Sequence, residues 1–271
     1  MTEDHWQLQL VKRSLKKKEK LRLLEKNLLI NSSDKVLDLG CAQGILSYFL
    51  RKKGGFWISA DLDLINVQTS REILKNNLIQ TGTRELPIKT ASLDYVVSLD
   101  YLEHLEDDDY CLTEIERILK PGGRFVLAVP RTGNIFLLHK IRPKLGMTLD
   151  FYGHKREGYS LKGVKEKLRS AGLIYLKHRS FSRFFSELIE LLLNSLYIKF
   201  FKPPELSPDS QRDGHIRPTT KAEFETKKKA FKAYSFIYPI VWLITRLDLL
   251  LFFQRGYGLI VWAQKPERLD N

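Results

Sequence analysis

Asp38, Gly40, Gly44 and Asp61 are the residues whose types and spacing could do chemistry. The first three lie in "VLDLGCAQG" (Val36–Gly44), an apolar run that ends in a glycine turn. Such a turn lets a ligand approach the N-terminus of the following helix, whose unpaired N–H groups favour negative charge. The glycines do not follow the Gly-x-Gly-x-x-Gly spacing of dinucleotide loops, and an acid beside the turn would repel a pyrophosphate. Asp38 suits a ligand with a positive ammonium or sulfonium group. Asp61 closes "FWISAD", roughly 20 residues past the turn, where an acid accepts from ribose hydroxyls in nucleoside sites. A nucleoside with a cationic tail points away from NAD and towards S-adenosylmethionine.

The elements that must position these residues read as alternating strands and helices. "KVLDLG", "FWISADLD", "SLDYVVSLD" and "RFVLAVP" are short apolar runs and read as buried strands. Between them, "AQGILSYFLRKKG", "LINVQTSREILKNN" and "DYCLTEIERILK" carry apolar residues at helical spacing, the last stopped by Pro121 and Gly122–Gly123. Strand–helix alternation at this pace predicts βαβ units, a parallel sheet and ligands at the carboxyl ends of its strands. Further on, "LKGVKEKLRSAG" reads as a helix, and "LIYLKHRSF" and "GYGLIVWAQKP" as strands. The stretch from Arg131 to Ser160 reads as rich in loops and in bases.

With these motifs in order, the sequence resembles class I S-adenosylmethionine-dependent methyltransferases of the UbiE/UbiG-like small-molecule group. "VLDLGCAQG" resembles the family's first motif, "ADLD" the acidic end of its second strand, "RELPIKTASLDYVVSLDYLEHLED" its central region and "LKPGGRFVLAVP" its last core motif. The resemblance covers residues 35–130 well and continues more weakly through "YGHKREGYSLKGVKEKLRSAGL"; "DHW" at Asp4–Trp6 is similar to N-terminal helices of some members. It implies a doubly wound, Rossmann-like α/β fold with a seven-stranded, mostly parallel sheet, and S-adenosylmethionine as cofactor. It places Asp38 and the turn of Gly40, Cys41, Ala42 and Gly44 at the methionine end, Asp61 on the ribose and Leu62 against the adenine. Leu99 and Asp100 would border the sulfonium, Tyr101 would lie near the substrate mouth, and Asp63 would cap a helix. Two departures stand out. Ala42 replaces the family's middle glycine, and Gly82 stands where an acid usually holds the adenine amino group, leaving backbone groups, Thr81 or Thr83 for that task.

Each of these residues also has a plainer role open to it. Asp38 could cap the next helix, Asp61 could close a strand, and Cys41 could fill the turn. His104 and His154 are the candidates for a general base on a phenol or alcohol acceptor, while packing or capping explains either imidazole equally well. Tyr159 lies with His154 in the stretch that resembles the family's substrate-side lid. Cys41 and Cys111 form no CxxC pair, so neither a disulfide framework nor a metal site is expected. The opening "MTEDHW" has acids where a secretory leader carries base, and a cytoplasmic protein is expected.

The net charge of +13 is concentrated in Lys12–Lys26, in Lys140–Arg169 and in Thr226–Lys232. Solvated helix faces would explain any one run; nucleic acid, anionic lipid or an anionic substrate would explain all three. No RNA-binding appendage or stacking-aromatic signature accompanies the charge, so nucleic acid is not the expected partner. An RNA methyltransferase, or a non-catalytic methyltransferase-like protein, is the alternative to an enzyme acting on small molecules.

The chain divides into a basic helical segment (1–34), a cofactor-binding core (35–183), an apolar helical insertion (184–255) and a last strand with tail (256–271). The insertion contains "FFSELIELLLNSLYIKFF", with Ser186, Glu190, Asn194 and Tyr197 on one stripe, and "FIYPIVWLITRLDLLLFF", interrupted by Pro239, Arg246 and Asp248. "KPPELSPDSQRDGHIRPTT" between them reads as a loop. Three placements fit the two apolar segments: core helices, a pair lying in an anionic membrane interface on the inner face of the membrane, and a transmembrane hairpin. Apolar insertion and clustered bases together imply a lipid-like, quinone-like or lipid-linked glycan acceptor.

Overall fold

The computed structural model describes residues 5–82, 84–133, 136–201 and 220–267. Its seven strands are β1 (Lys35–Leu39), β2 (Phe56–Asp61), β3 (Leu78–Gln80), β4 (Leu93–Leu99), β5 (Leu119–Pro130), β6 (Ile174–Phe181) and β7 (Gly258–Gln264). They form one sheet in the order β3-β2-β1-β4-β5-β7-β6. The pairs from β3 to β5 are parallel, and β7 runs antiparallel to both β5 and β6. This is the expected doubly wound, mostly parallel sheet.

The chain winds from β1 outward to β3, then returns to place β4 on the other side of β1. The strand tips of β1 and β4 therefore diverge, and such a switch point leaves a crevice at the carboxyl ends of the strands. Strand formation follows from burial on both faces: Val36, Leu37, Leu39, Val96, Val97, Val126 and Ala128 are wholly enclosed.

The helices are α1 (Trp6–Lys12), α2 (Leu15–Asn27), α3 (Ile45–Leu50), α4 (Leu64–Leu74), α5 (Asp108–Ile118), α6 (Leu137–Ile141), α7 (Leu149–Tyr152), α8 (Leu161–Ser170), α9 (Phe184–Phe201), α10 (Lys221–Thr226) and α11 (Lys228–Thr245). Asp63 caps α4 as expected, its carboxylate accepting the Ile65 N–H at 2.8 Å. Four elements depart from the sequence reading. The short β3 lacks a polar–apolar alternation, α6 and α7 lie inside the stretch read as loop, and β5 starts at Leu119. Pro121 and Gly122–Gly123 are absorbed as an irregularity opposite Leu93 and Tyr95.

The insertion does not behave as an added core. Leu188, Leu191 and Ile198 of α9 pack on Phe136, Leu138 and Met147, but Leu192, Leu196 and Phe200 face solvent. On α11 and the turns after it, Phe236 is 87 % exposed and Phe252 80 %, with Ile240, Leu243, Leu249, Leu250 and Phe253 also open. The reading as core helices packed on the main domain is met by one face of α9 alone, and the polar Ser186 and Glu187 turn inward with it. Asp248 anchors the pair by capping α9, accepting the N–H groups of Phe185 at 2.8 Å and Ser186 at 3.1 Å. Among the described residues no helix is long and apolar enough to cross a membrane. The loop read between the segments lies outside the described residues up to Pro218–Thr219, as do Thr83 and Asp4.

Candidate functional site

The glycine turn after β1 needs its glycines. Gly40 (φ 81°) and Gly44 (φ 73°) take the left-handed region, and a Cβ at Gly40 would lie 2.5 Å from the Tyr101 ring. Ala42 between them also has positive φ, at 46°. The N–H groups of Gly40 and Cys41 both donate to Ala60 O at 2.9 Å, which locks the turn onto the tip of β2. Helix α1 covers the turn: the buried Gln7 side chain donates from Nε2 to Gln43 O at 3.2 Å and Thr69 O at 3.1 Å.

Asp61 sits at the tip of β2, almost wholly enclosed. Its Oδ2 accepts the Ala42 N–H at 2.7 Å, and its Oδ1 accepts from the Asp63 N–H and Asn66 Nδ2, each at 3.0 Å. Burial raises its carboxyl above the usual range. Beside it, the Thr81 N–H donates to Asp61 O at 2.9 Å while the buried Thr81 hydroxyl has no partner among the described residues. Asp38 lies under the turn and accepts from the Ser47 hydroxyl on α3; burial pushes its carboxyl up to about 6. It therefore binds a side chain in the first turn of α3 and does not cap the helix backbone.

Next to the turn, a cavity of about 330 Å³ opens between the tips of β4 and β5, α2, α7 and α9. Asp100 stands at its edge with φ 52°, ion-paired to the almost fully buried Lys20 of α2. Desolvation opposes ionisation of Asp100, but Lys20 and Lys16 outweigh it and hold the carboxyl low. Glu103 has the opposite fate: burial first, then Asp100, pushes it far up, and neither carboxyl oxygen has a partner among the described residues.

His104 Nδ1 lies 2.8 Å from Gly153 O, and its ring meets that of His154 edge-on at 4.7 Å. Burial, then His104, pushes His154 down to about 3, and burial also lowers His104. Potential ligand atoms of Glu103, His104 and His154 lie within 4.8 Å of one another, a gathering that the sequence reading, with no metal expected, did not foresee.

The far wall of the cavity is ionic. Glu187 of α9 is fully buried and pairs with Arg142 and with Lys16 at 2.8 Å, while accepting from Ser182 Oγ at 2.8 Å. Lys16 also reaches Glu190 at 3.1 Å. Part of the Lys12–Lys26 run is thus structural and not merely solvated. Lys16, Lys20, Arg142 and Glu187 were missed as site residues because their partners lie 45 to 174 positions away along the chain, beyond any local pattern.

The structure brings Asp38, Gly40, Cys41, Ala42, Gly44 and Asp61 together, with Asp100 and His154 on the adjoining cavity. Leu62 and Leu99 are buried core residues beside them. Tyr101 packs under Gly40, so it touches the turn and not the acceptor mouth. Tyr159 is also buried, donating to Asp108 at 2.7 Å.

Residues 37–127, from β1 into β5, match the family model described as a methyltransferase domain. Residues 37–127 carry a methyltransferase domain. Over 96 residues that domain is 33 % identical to a probable S-adenosylmethionine-dependent methyltransferase of Mycolicibacterium smegmatis, covering 35 % of this chain and 37 % of that protein. Over 114 residues it is 33 % identical to a ubiquinone biosynthesis O-methyltransferase of Xylella fastidiosa, covering 40 % and 46 % respectively.

The matched region thus spans about half or less of the curated relatives, from 37 to 51 % of their length. Among solved structures, the methyltransferase domain and its surroundings are similar to a putative methyltransferase held by the Haloferax volcanii Trm112 activator. The TM-score is 0.58 at 19 % identity, covering 98 % of this chain and 95 % of that one. A phosphoethanolamine N-methyltransferase of Haemonchus contortus, solved with S-adenosyl-L-methionine, has a TM-score of 0.56 at 17 % identity, covering 92 % and 53 %. At these identities the likeness is one of fold.

Proposed function

We propose that this protein transfers a methyl group from S-adenosylmethionine to a small, lipid-like acceptor seated in the cavity beside the glycine turn. The observation that carries the reading is the adjacency of two features: a nucleoside-type acid, Asp61, beneath a glycine turn, and a half-apolar cavity starting at Asp100. The residues fit the cofactor. Asp61 offers a buried carboxylate to ribose hydroxyls, and the Thr81 hydroxyl, which has no partner among the described residues, would serve the adenine edge. Asp38, under the turn, places negative charge where the cofactor is cationic.

S-adenosylmethionine, when bound, supplies a methyl group already activated by its sulfonium. The protein's own task is alignment in a dry pocket, which is where most of such a rate enhancement originates. Val129, Pro130, Met147 and Phe181 give the cavity an apolar wall for the acceptor body. His154 is neutral at physiological pH and too weak a base, at about 3, to store a proton there. Its role is to accept a hydrogen bond from the acceptor and orient the attacking atom. His104 holds the His154 ring from beside, which makes it a positioning residue.

The insertion supports an acceptor drawn from a membrane. Its exposed apolar side chains, together with Trp242, whose ring is covered by Arg246 at 4.1 Å, match a helical pair lying in an anionic interface. Incubating cell extract with the protein and isotope-labelled S-adenosylmethionine, then following label by mass spectrometry, tests the whole reading. Label in a lipid-soluble small molecule is expected; label only in RNA, or none, contradicts it.

A further inference from the structure

A second cavity, separate from the one beside the turn, lies beyond the tips of β5 and β6. It measures about 880 Å³ and is lined from four elements that do not adjoin in sequence. Arg131 follows β5, Lys165 and Arg169 come from α8, Arg183 opens α9, and Arg255 precedes β7. With Lys162 these make six cations, against one carboxylate, Glu166. Glu166 lies 3.8 Å from Lys162, at the edge of ion-pairing distance.

The charge is not explained by folding. Arg131 is only 6 % exposed, yet among the described residues its guanidinium has neither an ion pair nor a side-chain hydrogen bond. A buried arginine normally pairs, because removing one partner from a buried ion pair leaves an uncompensated charge that costs several kcal/mol. Burial, and then the like charge of Arg255, holds the Arg131 guanidinium below its ordinary value. Among the described residues the one hydrogen bond of the Arg183 guanidinium is from Nε to Gln254 O at 3.2 Å, and no carboxylate lies within ion-pairing distance of it. Lys165 rests on the Tyr175 ring at 4.1 Å and keeps its charge unneutralised. A convergent, unpaired set of guanidinium and ammonium groups fits a phosphate, whose oxygens take bidentate bonds from arginine.

The rim decides what carries that phosphate. Phe252 and Phe253 line the cavity and are 80 % and 70 % exposed, and they continue into the open apolar surface of Leu249, Leu250 and α11. A soluble phosphate compound gives those rings nothing to bury against. Resting on the membrane-interface reading above, we infer that this cavity seats the phosphate headgroup of an anionic phospholipid, with Phe252, Phe253 and the α11 face in the acyl region. The headgroup thereby fixes how the acceptor cavity is presented to the bilayer.

The test uses the full chain and three probes: phosphatidylcholine vesicles, vesicles with one quarter phosphatidylglycerol, and soluble glycerol 3-phosphate followed by calorimetry. The wild type is expected to prefer the anionic vesicles and to bind glycerol 3-phosphate saturably. Arg131→Gln with Arg255→Gln should reduce the anionic preference about thirtyfold and abolish glycerol 3-phosphate binding. Lys228→Gln with Lys229→Gln, at the start of α11 and outside the cavity, should leave glycerol 3-phosphate binding unchanged. Vesicle binding that is equal on both lipids and unaltered in the arginine variant keeps the membrane reading and overturns the headgroup seat. No vesicle binding by the wild type overturns the membrane reading; persistent glycerol 3-phosphate binding would then assign the cavity to a soluble phosphate.

Discussion

The Ala42 N–H donates to Asp61 Oδ2 at 2.7 Å while Ala42 itself holds a left-handed φ of 46°. The carboxylate expected to receive a ribose is thus tied to the one turn residue that departs from glycine. Left-handed backbone costs an alanine roughly 1–2 kcal/mol, so the bond to Asp61 holds the turn against strain. Ala42→Gly should stabilise the protein by about 1 kcal/mol, after the added freedom of glycine in the unfolded chain is discounted. Urea unfolding measures it; destabilisation by Ala42→Gly would show that the turn is not strained.

Asp38 gives a pH dependence with a defined sign. Its carboxyl is raised from 3.8 to about 6 by burial, so the folded state binds its proton more tightly than the unfolded state does. The stability this contributes is present below pH 4 and is lost as pH rises through about 6, by about 3 kcal/mol at 1.36 kcal/mol per pH unit. Asp38→Asn should therefore gain stability relative to wild type between pH 4 and 7. Cofactor affinity should move the other way, weakening up to tenfold per pH unit below about 6 as the cation loses its ionised partner. Calorimetry at pH 5 and 7.5 measures it.

The ionic wall around Glu187 should resist disruption. Glu187→Ala would leave Arg142 unpaired and Lys16 with Glu190 alone, in a site where Glu187 is fully enclosed. A loss of about 3 kcal/mol is expected, the range for breaking a buried pair from one side. A loss under 1 kcal/mol on chemical unfolding would mean that the wall is solvated.

His154 and His104 should separate kinetically. His154→Ala should lower kcat by about 10²-fold if it orients the acceptor, and His154→Gln, which still accepts a hydrogen bond, should recover part of that. The pH profile should show no ionisation from His154 between 5 and 8, because its imidazole titrates near 3. A limb near 6.5 that vanishes in His154→Ala would restore the general-base role.

Much of the core was legible because its signals are local. The apolar runs of β1, β2 and β4, the glycine turn and the Asp63 cap each lie within a few residues of what they determine. β3 was invisible because three residues, Leu78–Gln80, are too few to carry a strand pattern. The site's cavity was half legible: His104 and His154 were found by type, but Lys20 with Asp100, and Lys16 with Glu187, are long-range pairs that no window of sequence contains. The insertion misled in a specific way. Its composition is that of a core, but Glu187 and Ser186 are turned inward while Phe236 and Phe252 lie outside, and only tertiary packing determines that inversion.

The most direct test of the central claim is a calorimetric titration of the full chain with S-adenosylmethionine, beside Asp61→Ala. One saturable site is expected in the wild type, with affinity reduced at least 10²-fold in the variant, the loss expected when charge-assisted bonds to both ribose hydroxyls disappear. No binding by the wild type, or equal binding by both proteins, would contradict the account.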